Sequence, residues 1–226
     1  YASNQLGDNL GGYGSGVLYV CYAITSFFLS KPIVAMVGPK NGLLIGAGGY
    51  CFYVAGFLLA ILTTNVEARW GIFIAANIMG GSAGGFLWTA QGRYFARNAK
   101  LYADTVDITP EEANAQFAGL FATSYLGLEV LTKVIATIVF VSTEDSAPAI
   151  IFTLYTIIGV TAVFFLVQLD HLEETGTWSF EVDAVRRNCL AAGTVIYQEQ
   201  RLALLIPFQF AFGFMSSFIA FYVFGT

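Results

Sequence analysis

Six stretches of this chain stay apolar for long enough to cross a lipid bilayer: Tyr13–Ser30, Leu43–Leu62, Trp70–Ala90, Phe117–Val141, Ala147–Leu169 and Leu202–Phe224. A helix needs about 20 mostly apolar residues to span roughly 30 Å of hydrocarbon. Turn-forming or charged residues bound each stretch. Lys31-Pro32 and Gly38-Pro39-Lys40-Asn41-Gly42 close the first connection, Glu67 and Arg69 mark the second, and Glu144-Asp145-Ser146 with Pro148 mark the fourth. Trp70 and Trp88 stand 18 positions apart, about 27 Å along a helix, which places one indole at each membrane interface. The pattern predicts an all-α membrane protein, a partial bundle of about six spans.

Composition points the same way. Apolar residues make up 57% of the chain and charged residues only 11%, against roughly 25% charged in soluble domains. So little charge cannot coat a water-soluble surface. Cys21 and Cys51 fall inside apolar stretches and Cys189 in a polar one, with no Cys-x-x-Cys or Cys/His spacing. The first two read as small buried hydrophobes. The chain begins at Tyr1 and stops inside an apolar stretch at Thr226, as a piece of a longer protein does.

Orientation follows from the basic residues. Lys31 and Lys40 lie in the first connection, Arg93, Arg97 and Lys100 in the third, and Arg186, Arg187 and Arg201 in the fifth. These connections share one side, which the excess of Lys and Arg marks as cytoplasmic. The third connection, Gly92–Gln116, contains Thr109-Pro110-Glu111-Glu112. Thr at the N-cap, Pro at the first helical position and acids in the first turn are a helix-start signal. The polar stretch Asp170–Arg201 carries Trp178, Val182 and Val185 at helical spacing, which predicts a short helix along the membrane surface.

Many glycines lie within the spans. Gly12/Gly16, Gly42/Gly46, Gly80/Gly84 and Gly81/Gly85 have the small-xxx-small spacing that lets helices approach closely. No phosphate-loop pattern accompanies them.

Three stretches carry a resemblance. Gly12–Ser30 leads into Lys31-Pro32-Ile33-Val34-Ala35-Met36-Val37-Gly38-Pro39-Lys40. Gly84-Gly85-Phe86-Leu87-Trp88-Thr89-Ala90-Gln91-Gly92-Arg93-Tyr94 closes the third span, and Leu205-Ile206-Pro207-Phe208 with Gly213, Phe218 and Phe221 opens the last. Together they resemble the UNC-93 family, a branch of the major facilitator superfamily. The resemblance implies helices two to seven of a twelve-helix bundle. Residues 1–169 would be the N-terminal half without its first helix, 170–201 the cytoplasmic link between halves, and 202–226 the first span of the C-terminal half. Facilitators carry a charged signature between helices two and three. Here the Gly38-Pro39-Lys40 end is present, while Ala35 and Met36 fall at the acidic and basic positions. UNC-93-like members include regulators of potassium channels and escorts of other membrane proteins. The resemblance therefore implies a channel or receptor as partner, alongside the lipid bilayer. The alternative is a secondary transporter of a small solute or ion through a midplane cavity.

Within the spans, Glu129 and Lys133 demand an account. They sit four residues apart on one helix face, with Glu N-terminal, the favoured order. A lone charge at the position of Glu129, mid-span, costs at least about 2.5–3.5 kcal/mol. The pair is thus expected to face the bundle interior or a wet cavity, as a self-neutralising packing pair or as a titratable site. Asn77, Thr89 and Gln91 are candidates to line a cavity or to hydrogen-bond between helices. Tyr13, Tyr19 and Tyr22 read as belt or packing residues. His171, beside Asp170, Glu173 and Glu174, reads as a solvated membrane-edge cluster rather than a metal site. No nucleophile–base spacing points to an enzyme, and no cofactor or nucleic-acid partner is expected.

The predicted topology can be checked by labelling. In a background lacking Cys21, Cys51 and Cys189, cysteines at positions 65 and 144 should react with an impermeant maleimide on intact cells. Those at 97 and 187 should not; the reverse pattern overturns the orientation.

Overall fold

The computed structural model describes residues 10–143, 146–170 and 200–218, together with 183, 186, 194, 197 and 198. The predicted surface helix around Trp178, the His171 cluster, Cys189 and the end of the last span beyond residue 218 lie outside the described residues. Every described element is helical. The chain forms α1 (Leu10–Ile24), a π-helical turn (Thr25–Leu29), α2 (Ser30–Val37), α3 (Pro39–Leu62), α4 (Val66–Val106), α5 (Pro110–Thr143), α6 (Ala147–Val167) and α7 (Gln200–Phe218). Five helical runs are long and apolar enough to cross a membrane, with α1, the π turn and α2 counting as one run, Leu10–Val37. In α7 the apolar part, Ala203–Met215, is shorter.

The first run corrects one expectation. Lys31-Pro32 does not end the span, and the helix continues through it to Val37. Pro32 cannot donate to the carbonyl of Phe28, and its ring would crowd that oxygen. The π turn immediately before it absorbs the misfit. There the Ser30 N–H reaches back five residues to the Thr25 carbonyl, and Ser30 Oγ donates to the same oxygen at 2.8 Å. The break falls instead at Gly38, whose φ of 83° is open to glycine and strained for other residues.

The third connection also differs. The connection Gly92–Gln116 is built mostly from the ends of two helices that run on past the length a bilayer needs. Helix α4 has 41 residues, about 60 Å of helix, and α5 has 34, about 50 Å. Only a tight turn joins them. Asp107 closes α4 in the left-handed region at φ 57°, which Asp tolerates better than most residues. The helix-start signal at Thr109 is realised as a reciprocal capping box: the Glu112 N–H donates to Thr109 Oγ1 and the Thr109 N–H to Glu112 Oε2, each at 3.2 Å. Ala99, Ala103 and Ala113 are buried where the two helices touch, under Ile108 and Phe117.

Helix α4 is the hub, meeting α1, the π turn and α2 on one side, α3 on another and α5 on a third. Helix α6 packs on α3. At one end of the bundle Phe57 sits among Tyr53, Phe73 and Phe152, with ring centroids 4.8, 4.7 and 5.3 Å away. Leu10 and Ala60 complete that core. The adjoining chain reversal is sealed by Asn65, which accepts the Ala68 N–H, and by Arg69, which donates twice to the Thr63 carbonyl. At the other end Val34, Leu43 and Ala90 are buried together.

Between those ends, α1 and α4 approach at Gly81, where an added Cβ would run into the Leu18 carbonyl. That obstacle is backbone, so the helices must move apart to make room. Gly81→Leu should cost at least the ~1–3 kcal/mol typical of overpacking and strip most of the folded, monodisperse protein from a detergent size-exclusion profile. Gly92→Ala, with nothing within 4 Å of its added Cβ, should leave the profile unchanged.

Candidate functional site

Helix α5 is long, apolar and largely unburied. Ala113 in its first turn is its one buried residue. It is held to α4 by an aromatic ladder. Trp88, Phe95 and Tyr102 recur every seven residues along α4, and Phe117, Phe121 and Tyr125 every four along antiparallel α5. Their rings meet edge-on, Tyr102 to Phe117 at 5.4 Å, Phe95 to Phe117 at 5.7 Å and Trp88 to Tyr125 at 6.3 Å. Trp88, expected at a membrane interface, thus also contacts a neighbouring helix. The seven-residue spacing was present in the sequence, but no reading from single spans connects it to its partners on the next one.

One turn beyond Tyr125 the same helix carries Glu129 and Lys133. Lys133 Nζ donates to Glu129 Oε1 at 2.6 Å, so the predicted i,i+4 pair is closed. Its setting differs from the sequence reading. Lys133 is 72% exposed and Glu129 39%, and no described element covers them. The Thr132 hydroxyl bonds back to the Leu128 and Glu129 carbonyls, and that of Thr137 to the Lys133 carbonyl. Both hydroxyls are therefore satisfied within the helix.

Tyrosines extend this polar face inward. Tyr125 and Tyr155, on α5 and α6, lie within electrostatic reach of Lys133. Tyr50 on α3 lies within reach of Tyr22 on α1 and of Tyr125. Gly84 explains how Tyr22 and Tyr50 fit. A Cβ there would stand 2.8 Å from the Tyr22 ring and 2.9 Å from the Tyr50 hydroxyl oxygen, so both side chains lie against bare α4 backbone. Phenol groups from four helices thus lie within electrostatic reach of one another or of Lys133. Sequence reading singled out only Tyr22 of these, as a belt or packing residue. The available signal was a set of tyrosines in mid-span positions.

The other predicted residues are dispersed. Asn77 is buried and donates to the Phe73 carbonyl at 2.8 Å, opposite Gly14. Thr89 donates to the Gly85 carbonyl at 3.0 Å, and Gln91 is half-buried. Gly80 faces the Tyr53 ring, and Gly85 faces Thr25, Ser26 and Ser30. Gly38, Pro39 and Lys40 form the start of α3. Among the described residues nothing stands within 4 Å of a Cβ added at Gly12 or Gly16.

The fold and the charged, hydroxyl-bearing mid-span face define a multi-pass α-helical membrane protein. Residues 3–226 match the family described as "Ion channel regulatory protein UNC-93". The chain belongs to the UNC-93 family. It is 22% identical over 219 residues to UNC93-like protein 3 from Arabidopsis thaliana, covering 93% of this chain and 45% of that protein. It is 27% identical over 133 residues to Protein unc-93 homolog A from Bos taurus, covering 59% of this chain and 27% of that protein. The chain thus spans less than half the length of these relatives. No solved structure matches it.

If Glu129 and Lys133 act as one electrostatic unit, removing one should harm the protein more than removing both. Lys133→Ala strands a carboxylate mid-span. Glu129→Ala strands an ammonium that can partly snorkel towards the nearer membrane surface. The combined Glu129→Gln, Lys133→Asn variant should keep more folded protein than either single variant in a thermal-stability assay of the full-length protein. Additive losses across the Ala cycle would sink the pairing.

Proposed function

We propose that this chain is part of a membrane protein that regulates or escorts another membrane protein, with an ion channel as the partner class, and that it is not an enzyme. The carrying observation is the α5 face, an apolar helix with an ion pair that no described element covers, in a chain of a channel-regulatory family. Hydrocarbon offers no hydrogen bonds to a charged pair. Protein or water therefore has to meet this face, and polar groups at the same depth on a partner span, or on the remaining spans of the full-length protein, meet it well. The basic connections are cytoplasmic in this reading, and the chain supplies helices two to seven of a two-halved facilitator-type bundle.

One observation favours a second reading. Tyrosines on four helices lie within electrostatic reach of one another or of Lys133, and polar side chains brought together from several helices are what a transporter uses to line a midplane cavity.

Affinity capture of the full-length protein from its own membrane should recover a specific channel or receptor, and co-expression should change that partner's current or surface delivery. If no partner is recovered and liposomes holding only the purified protein accumulate a solute under an imposed proton gradient, the transporter reading replaces this one.

A further inference from the structure

Three helices meet at the basic end of the bundle. A Cβ on Gly42 of α3 would lie 2.8 Å from Ala90 Cβ of α4 and 3.3 Å from Val34 Cγ2 of α2. Helical periodicity then fixes where the cations fall. Lys40 precedes buried Leu43 by three residues, while Arg93 follows Ala90 by three and Arg97 follows it by seven. Each lies on the side of its helix that faces the junction, one or two turns further out. Lys31 precedes Val34 by three and is exposed, within snorkelling distance of the same surface. Helix α3 opens here without a side-chain cap, which adds the positive end of its dipole.

An independent observation points to an anion. Arg97 Nε is buried and has no hydrogen-bond partner among the described residues. A guanidinium N–H removed from water and left unbonded is costly. Helix α2, which packs on α4, carries no carboxylate between Ser30 and Val37. Asp170 follows Leu169 of the same cluster and is exposed, and its carbonyl accepts from the Tyr94 hydroxyl at 3.4 Å. Among the described residues it is the carboxylate that adjoins this cluster.

We propose that this junction holds the phosphate-bearing headgroup of an anionic phospholipid from the adjacent leaflet, with Arg97 and Lys40 as its cationic contacts. Guanidinium is suited to phosphate because its planar fork gives two parallel N–H donors. Basic pockets between spans are where such headgroups bind. The inference rests on the membrane fold alone and holds for a regulator or a transporter.

The test uses full-length protein in phosphatidylcholine nanodiscs doped with phosphatidylinositol bisphosphate, with retained lipid counted by native mass spectrometry. Anionic lipid should stay bound under conditions that strip phosphatidylcholine. Arg97→Gln and Lys40→Gln should each weaken retention about tenfold, the scale of one charged hydrogen bond. Lys100→Gln, the same charge change on an exposed residue outside the junction, should change it little. Equal loss with Lys100→Gln would mean a diffuse surface potential and overturn the site. Displacement by millimolar inorganic phosphate would mean a soluble-anion site and overturn the lipid assignment, as would equal retention of phosphatidylcholine. Should Arg97→Gln fail to fold, Lys40→Gln at the half-exposed start of α3 decides alone.

Discussion

The bundle depends on one close approach, that of α1 to α4 at Gly81, where helix backbone rests directly on helix backbone. Between spans in lipid there is no hydrophobic gain from association, because lipid tails are as apolar as the side chains. Contact must come from van der Waals packing, and glycine maximises it by letting two helices touch along their main chains. Helix α4 concentrates this device in Gly80, Gly81, Gly84 and Gly85. The same bare stretch admits Tyr22 and Tyr50 against Gly84. Small residues on the helix thus create the room in which two tyrosines from neighbouring helices lie side by side.

The other side of α4 is built on the opposite principle. Large rings spaced two turns apart meet large rings on α5, and this seam holds the helices apart at ring width. Beyond the membrane the seam narrows to alanine against alanine, at Ala99, Ala103 and Ala113. The α4–α5 hairpin is therefore anchored at its tip and along its rings, while the far part of α5, with Glu129 and Lys133, is left uncovered by described residues. The exposure of the ion pair follows from where α4 spends its small and large residues.

Five of the six expected spans were legible, in order and approximate limits, because a bilayer imposes a length and a polarity on each one. The helix start at Thr109 was legible because capping is local chemistry. The continuation through Pro32 was not. A proline reads as a boundary, and only the π turn with the Ser30–Thr25 bonds shows how the chain absorbs it. The reach of α4 and α5 beyond the bilayer was hidden because charged residues on a helix outside the membrane look like loop residues. The pairing of Glu129 with Lys133 was readable from spacing. Its exposure and its tyrosine neighbours were not, since both depend on which helices α5 fails to touch.

That exposure constrains every account of function. A closed Glu–Lys pair is neutral overall but not satisfied: the carboxylate keeps free acceptor sites and the ammonium keeps further donors. In water this residue of polarity is trivial, and in hydrocarbon it is not. Tyr125 and Tyr155 lie within electrostatic reach of Lys133, so the charge does not stand on a wholly apolar face. A surface of that kind is matched by another polar surface at the same depth or by enclosed water. The rest of the full-length protein, a regulator's partner span or a transporter's cavity would each meet it. The two readings therefore differ in what lies against α5, while what α5 presents is the same in both.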